Sequence, residues 1–224
     1  MRFCDGVIIM DNDYEHIEIL VKRYPALAVC KQDIVDTYIL LEECYKNGNK
    51  LLVAGNGGSA ADALHIVGEL MKAFVLPREL NKQICDALDK NSQNATYLKK
   101  NLQMALPAIA LVGEVGLTTA YSNDVASDLM FAQQVLGYAK SGDVFLGIST
   151  SGNSKNIIYA AEVAKAMGMK VVGLTGMSGG KLKDICDVCV IVPEKETFKI
   201  QELHLPVYHA LCLEIEKKMF SVIG

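Results

Sequence analysis

His65 and Glu69 stand four residues apart in the stretch Lys50 to Glu69, KLLVAGNGGSAADALHIVGE. On a helix that spacing puts an imidazole and a carboxylate on one face, a pair suited to zinc and equally to proton transfer. A lone helix histidine is commonly just packed, and the carboxylate at i+4 is what makes this one half of a site. The other half has to come from far along the chain. The segment KIQELHLPVYH offers Gln201, Glu202, His204 and His209. Gln201 and His209, eight residues apart, fall within one broad helical face, whereas His204 points elsewhere. Spacing alone does not choose among them.

Directly ahead of His65 runs Gly55-Asn56-Gly57-Gly58-Ser59. Glycines permit positive φ and let a ligand approach the backbone, and Ser59 opens a helix whose first N–H groups point at the same place. An anion would be held there. A second loop, Ser149-Thr150-Ser151-Gly152-Asn153-Ser154, offers four hydroxyls and a glycine turn at a helix start, neutral donors that would wrap a phosphate monoester without a lysine. Neither loop has the lysine of a P-loop or the spacing of a dinucleotide fingerprint, so nucleotide hydrolysis and hydride transfer fall behind.

The elements that must position these loops are short apolar runs: LLVA (51–54), LPAIALV (106–112), DVFLGIS (143–149), MKVVGLT (169–175) and DVCVIVP (187–193). They read as about five strands separated by helical patterns, notably 154–167, which stops at Gly168. Continuous apolar strands alternating with helices predict an α/β fold, a parallel sheet covered on both faces that binds ligands at the carboxyl ends of its strands. Residues 11–47 are helical in pattern and interrupted near Pro25, making 1–49 an N-terminal helical segment. Residues 78–103 turn polar and charged, an insertion that is partly helical and lies over or beside the first βα unit. Residues 198–220 form a last helical pattern, which Pro206 should kink or break early.

The whole chain sets outer limits on these readings. At 224 residues it fits one domain, 1–224, with 51% hydrophobic residues but no apolar run long enough to cross a bilayer. Its net charge is −4, without a basic block, so neither direct nucleic-acid binding nor a membrane is expected. The start lacks a secretory signal core, which predicts a cytoplasmic protein. Seven scattered cysteines agree with a reducing compartment, and the one close pair, Cys186 and Cys189, leads into a buried strand and reads as structural.

GNGGSAADALH, STSGNS, LTGMSGGKL and IQELHLPVYH together resemble the sugar isomerase (SIS) domain family, and within it the phosphoheptose isomerases, from about residue 30 to the C-terminus. The resemblance implies a single Rossmann-like SIS domain and a homotetramer with sites at subunit interfaces. It implies conversion of sedoheptulose 7-phosphate to a D-glycero-D-manno-heptose 7-phosphate through an enediolate, feeding lipopolysaccharide or capsule precursors. Ser59, Ser149, Thr150, Ser151 and Ser154 would hold the phosphate, with Asn56, Gly57, Gly58, Glu114, Asn123, Asp124 and Gln201 completing the sugar-phosphate site. Zn²⁺ would be bound by His65, Glu69, Gln201 and His209, with Glu69 as the base and His209 as the acid. Two positions depart from the family: Glu114 stands where an aspartate is usual, and Ala73 where an arginine is common, with Lys72 and Arg78 nearby as stand-ins. A rival reading is a non-catalytic SIS module that senses a sugar phosphate or binds a protein, and another is an isomerase of a different sugar phosphate.

Overall fold

In the computed structural model of the chain, residues 14–221 are described, together with the short antiparallel pair Phe3–Cys4 and Val7–Ile8. Five parallel strands form the centre: β1 (Leu51–Gly55), β2 (Ala108–Ala110), β3 (Val144–Ser149), β4 (Lys170–Thr175) and β5 (Val188–Ile191). Their order across the sheet is β2-β1-β3-β4-β5. Every residue of β1 and of β3 is buried, because helices cover both faces. Side chains alternate along the strand, so Leu51 and Val53 enter one core while Leu52 and Ala54 enter the other. This is the expected α/β sheet.

In chain order the helices are α1 (Glu15–Arg23), α2 (Lys31–Lys46), α3 (Gly58–Met71), α4 (Lys82–Asn91), α5 (Ala95–Asn101), α6 (Val115–Asp124), α7 (Met130–Tyr138), α8 (Lys155–Ala166) and α9 (Thr197–Phe220). The larger core packs α1, α2, α3 and α9 on one face of the sheet, and the smaller packs α7 and α8 on the other. The break near Pro25 is a 3₁₀ turn, Pro25–Cys30. No helix among the described residues is long and apolar enough to cross a membrane.

Local readings hold to different degrees. The run 106–112 is strand only over Ala108–Ala110, after which Leu111–Gly113 winds into a 3₁₀ turn. The polar segment 78–103 is a helical hairpin, α4 and α5, started by Asn81, whose side chain accepts the Ile84 N–H at 2.9 Å. Pro206 does not end the last helix, which continues from Thr197 to Phe220. The carbonyl that loses its donor belongs to Glu202, an exposed residue on the outer side of the helix. Cys186 and Cys189 are free thiols hydrogen-bonded to each other above Gly173, where an added Cβ would lie 2.9 and 3.0 Å from their sulfurs.

Candidate active site

The strand order reverses direction between β1 and β3, and that switch point opens a crevice at their carboxyl ends. Gly55 pairs with Ile148 in register, so the glycine loop after β1 and the serine loop after β3 leave the sheet side by side. Between them lies a cleft of about 310 Å³ lined by Asn56, Gly57, Gly58, Ser59, Ile148, Ser149, Thr150, Ser154, Thr197 and Gln201. Three helices begin at this cleft: α3 after Gly57, α8 after Ser154 and α9 at Thr197, and none has a side-chain cap on its first N–H groups. Three uncapped N-termini and a ring of hydroxyls make a site for a phosphate. Two lining residues are not singled out from the sequence: Ile148, the buried end of β3, and Thr197, whose signal is a helix-starting threonine just past the last strand.

The loops are held in shape by contacts that explain their glycines. Gly57 has φ of 56°, and a Cβ on Gly55 would come within 2.3 Å of the Ser59 carbonyl oxygen. A Cβ on Gly58 would meet the Gln201 amide nitrogen at 2.4 Å, so that amide rests directly over the first turn of α3. Ser149 and Ser154 share a hydroxyl contact of 3.0 Å, and Asn56 exchanges amide hydrogen bonds of 3.0 and 2.9 Å with Asn156 across the cleft. Ser151 turns inward on its own loop, accepting the Asn153 N–H at 3.2 Å. Gly152, at φ of 65°, packs so closely on Gly179 that the GMSGGKL segment serves as the floor of the serine loop.

From this cleft α3 and α9 run alongside each other in the same direction, Gly58 beside Gln201 and His65 beside Tyr208. His65 places Nε2 3.3 Å from Glu69 Oε1 and Nδ1 3.0 Å from the Tyr208 hydroxyl. Tyr208 in turn donates to Asp62 Oδ1 at 3.3 Å. While that hydroxyl donates to Asp62 it can accept the proton of His65 Nδ1, the tautomer that leaves the Nε2 lone pair for a metal; the other tautomer lets Nε2–H donate to Glu69. Burial raises the Asp62 carboxyl and, together with Asp62, the Tyr208 phenol. The imidazole of His209 meets His65 edge-on at 5.0 Å between centroids and lies 5.6 Å from the Phe74 ring. Its buried Nε2 has no hydrogen-bond partner among the described residues. Burial and the neighbouring His65 hold His209 below the usual imidazole range, against an opposing pull from Glu69.

Of the other sequence candidates, only Lys72 stands at one of these two sites. His204 is fully buried with Nε2 at 3.2 Å from the Thr175 carbonyl, and burial lowers it to about 4. Glu114 is the exposed residue before α6, and Asn123 and Asp124 pair with each other at the exposed end of that helix; none of the three is among the residues lining the cleft. Lys72 reaches Glu69 Oε2 at 2.7 Å, so it stands at the acid–base cluster. Arg78 is buried in an ion pair with Glu216 and does not face the cleft.

A SIS domain family model matches residues 98–176. The phosphoheptose isomerase of Aneurinibacillus thermoaerophilus is 42% identical over 178 residues, 80% of this chain and 77% of the relative. The chain belongs to the phosphoheptose isomerase family. Solved structures of family members agree: that of Neisseria gonorrhoeae phosphoheptose isomerase GmhA superposes with a TM-score of 0.71 at 32% identity, covering 91% of this chain and 96% of that one. The Francisella tularensis phosphoheptose isomerase gives 0.72 at 31% identity, covering 91% and 95%. The chain is therefore an isomerase of the SIS fold, and its cleft and helix-borne cluster are the places to look for its chemistry.

Among the described residues no three His, Cys, Asp or Glu side chains are gathered as a ready metal group. The donor chemistry nonetheless fits zinc: a free Nε2 on His65, the Glu69 carboxylate beside it, and the partnerless buried Nε2 of His209. Gln201 is farther off, eight residues or about 12 Å along α9 from His209.

Proposed function

We propose that this isomerase acts on sedoheptulose 7-phosphate, giving a heptose 7-phosphate through an enediolate. The observation that carries the reading is the spacing between the phosphate cleft and the acid–base cluster. Ser59 and His65 are six residues apart on α3, about 9 Å along its axis, and Gln201 and His209 are about 12 Å apart on α9. An extended seven-carbon sugar phosphate has seven bonds from phosphorus to C2, about 9 Å at the roughly 3.8 Å per three bonds of an extended chain. A phosphate among the three helix N-termini therefore brings C2 level with His65, the ring on which the Glu69 carboxylate and the His209 imidazole converge.

Bound this way, the phosphate orients the open-chain ketose through a part that does not react. Glu69 takes a proton from C1 and returns it to C2. His209, kept neutral by burial, moves the hydroxyl proton between O1 and O2. The Lys72 ammonium beside Glu69 adds positive charge close to the developing enediolate. His65, Glu69 and His209 are the residues that would hold zinc; Gln201, the fourth donor that the resemblance implies, stands in the phosphate cleft instead. When bound, zinc supplies Lewis-acid stabilisation of charge on the sugar oxygens.

We also infer a homotetramer with sites completed across subunit boundaries. Its support is α6, which buries none of its residues against the rest of the described chain and exposes Val115 and Leu117, with Val125 exposed just after it. A neighbouring subunit on that helix would give Glu114, Asn123 and Asp124 a role in substrate binding. A cytoplasmic enzyme supplying cell-surface polysaccharide precursors fits this chemistry. The direct test is incubation of metal-stripped protein with sedoheptulose 7-phosphate, with and without zinc. Zinc-dependent formation of an aldose phosphate is expected; absence of product in both samples, with the sugar phosphate still raising the melting temperature, would point to a sensing module instead.

A further inference from the structure

Arg78 and Glu216 touch neither the phosphate cleft nor the acid–base cluster, yet both side chains are completely buried and paired at 2.8 Å. Each does more than meet the other. The Glu216 carboxylate accepts the backbone N–H groups of Phe74, Val75 and Leu76 at 2.7, 2.8 and 3.1 Å. Burial pushes this carboxyl up, but those three N–H groups and the Arg78 guanidinium outweigh burial and hold it below the usual carboxylate range. The Arg78 fork donates to the carbonyls of Leu70 at 2.6 Å and Glu69 at 3.1 Å, the last turn of α3, and its guanidinium lies 4.7 Å over the Phe220 ring.

These bonds converge on the reacting groups from behind. The carbonyl of Glu69 belongs to the same residue whose carboxylate stands at the cluster. The pinned segment after α3 begins with Phe74, whose ring packs on the His209 imidazole. A helix end leaves carbonyls without partners, and here one guanidinium satisfies them while its counter-ion satisfies the strap that follows. A buried ion pair that served packing alone could be exchanged for apolar side chains. This one cannot, because five backbone groups depend on its donors and acceptors.

We propose that Arg78 and Glu216 are positioning residues of the isomerase, a buried ion pair that locks the end of α3 bearing Glu69 against the stretch of α9 bearing His209. The proposal rests on the reading of Glu69 and His209 as the acid–base pair. Arg78→Lys keeps a cation for Glu216 but loses the two-pronged reach to the α3 carbonyls, and its expected effect is a fall in kcat of about ten- to a hundredfold. The KM for the sugar phosphate should stay within about twofold, since the phosphate cleft lies at the opposite end of α3. Phe220→Leu, which removes only the ring under the guanidinium, should lower kcat in the same direction by less, and it decides the matter if Arg78→Lys does not fold. Unchanged kcat in the folded variants, or a rise in KM as large as the fall in kcat, would overturn the proposal. Glu69→Gln, assayed alongside, tests the acid–base reading alone: full turnover there overturns that reading whichever way Arg78→Lys behaves.

Discussion

The hydroxyl of Tyr208 lies 3.0 Å from Nδ1 of His65 and, while it donates to Asp62, favours the tautomer protonated on that nitrogen. With Asp62 taking the phenolic proton, the lone pair is on Nε2, the side of Glu69. Tyr208→Phe should therefore leave the ring in place but let its tautomer drift, and it strands the Asp62 carboxyl without its donor. The expected result is zinc affinity lower by about ten- to a hundredfold with a parallel loss of kcat. Zinc titration of the stripped variant followed by calorimetry checks it, and wild-type affinity would show that the hydroxyl does not set the tautomer.

Gly152 tests whether the serine loop and its floor act as one unit. It has φ of 65°, and a Cβ there would fall 1.8 Å from the Gly179 carbonyl oxygen, so Gly152→Ala forces the two segments apart. Ser149 and Ser154 would lose their contact and the mouth of α8 would shift. The KM for the sugar phosphate is expected to rise about tenfold or more, with kcat affected less, because phosphate binding is spent on orientation. Steady-state kinetics of the purified variant read this out directly.

His204 makes stability depend on pH. Its folded-state pKa of about 4 lies below the unfolded value of about 6.5, so between those values the unfolded chain binds more protons. The stabilisation from keeping this ring neutral is whole above pH 6.5 and is lost as the pH falls towards 4. The shift corresponds to about 3 kcal/mol at most. Urea unfolding at pH 7 and pH 4.5 should show that loss in the wild type and a smaller one in His204→Gln, whose amide still reaches the Thr175 carbonyl. Equal pH dependence in the two proteins would assign the acid sensitivity to other groups.

Much of this architecture is legible in the amino-acid order because its signals are local. LLVAG, VFLGIS and KVVGLT are apolar on both faces, as strands of a covered parallel sheet must be, and each is followed by glycines and hydroxyl residues where a ligand loop belongs. What the order of residues conceals is pairing at a distance. Thr197 reads as an ordinary helix start until α3 and α8 are seen to open on the same cleft. Arg78 reads as a stand-in for the arginine that the family often has at position 73, but its partner is Glu216, 138 residues away. Pro206 reads as a breaker, yet the helix runs through it from Thr197 to Phe220, with the residue four before it, Glu202, exposed. Glu114, Asn123 and Asp124 come from resemblance alone, and within one chain α6 carries them to the exposed surface.

In the proposed mechanism Glu69, held between His65 and Lys72, carries the proton between the first two sugar carbons. Glu69→Gln keeps the shape of the side chain and removes its basicity. Turnover of sedoheptulose 7-phosphate by the zinc-loaded variant, measured with the binding of the same sugar phosphate by calorimetry, tests the claim most directly. The account predicts turnover reduced by about a thousandfold or more with affinity kept within a few fold. Turnover close to wild type would contradict it.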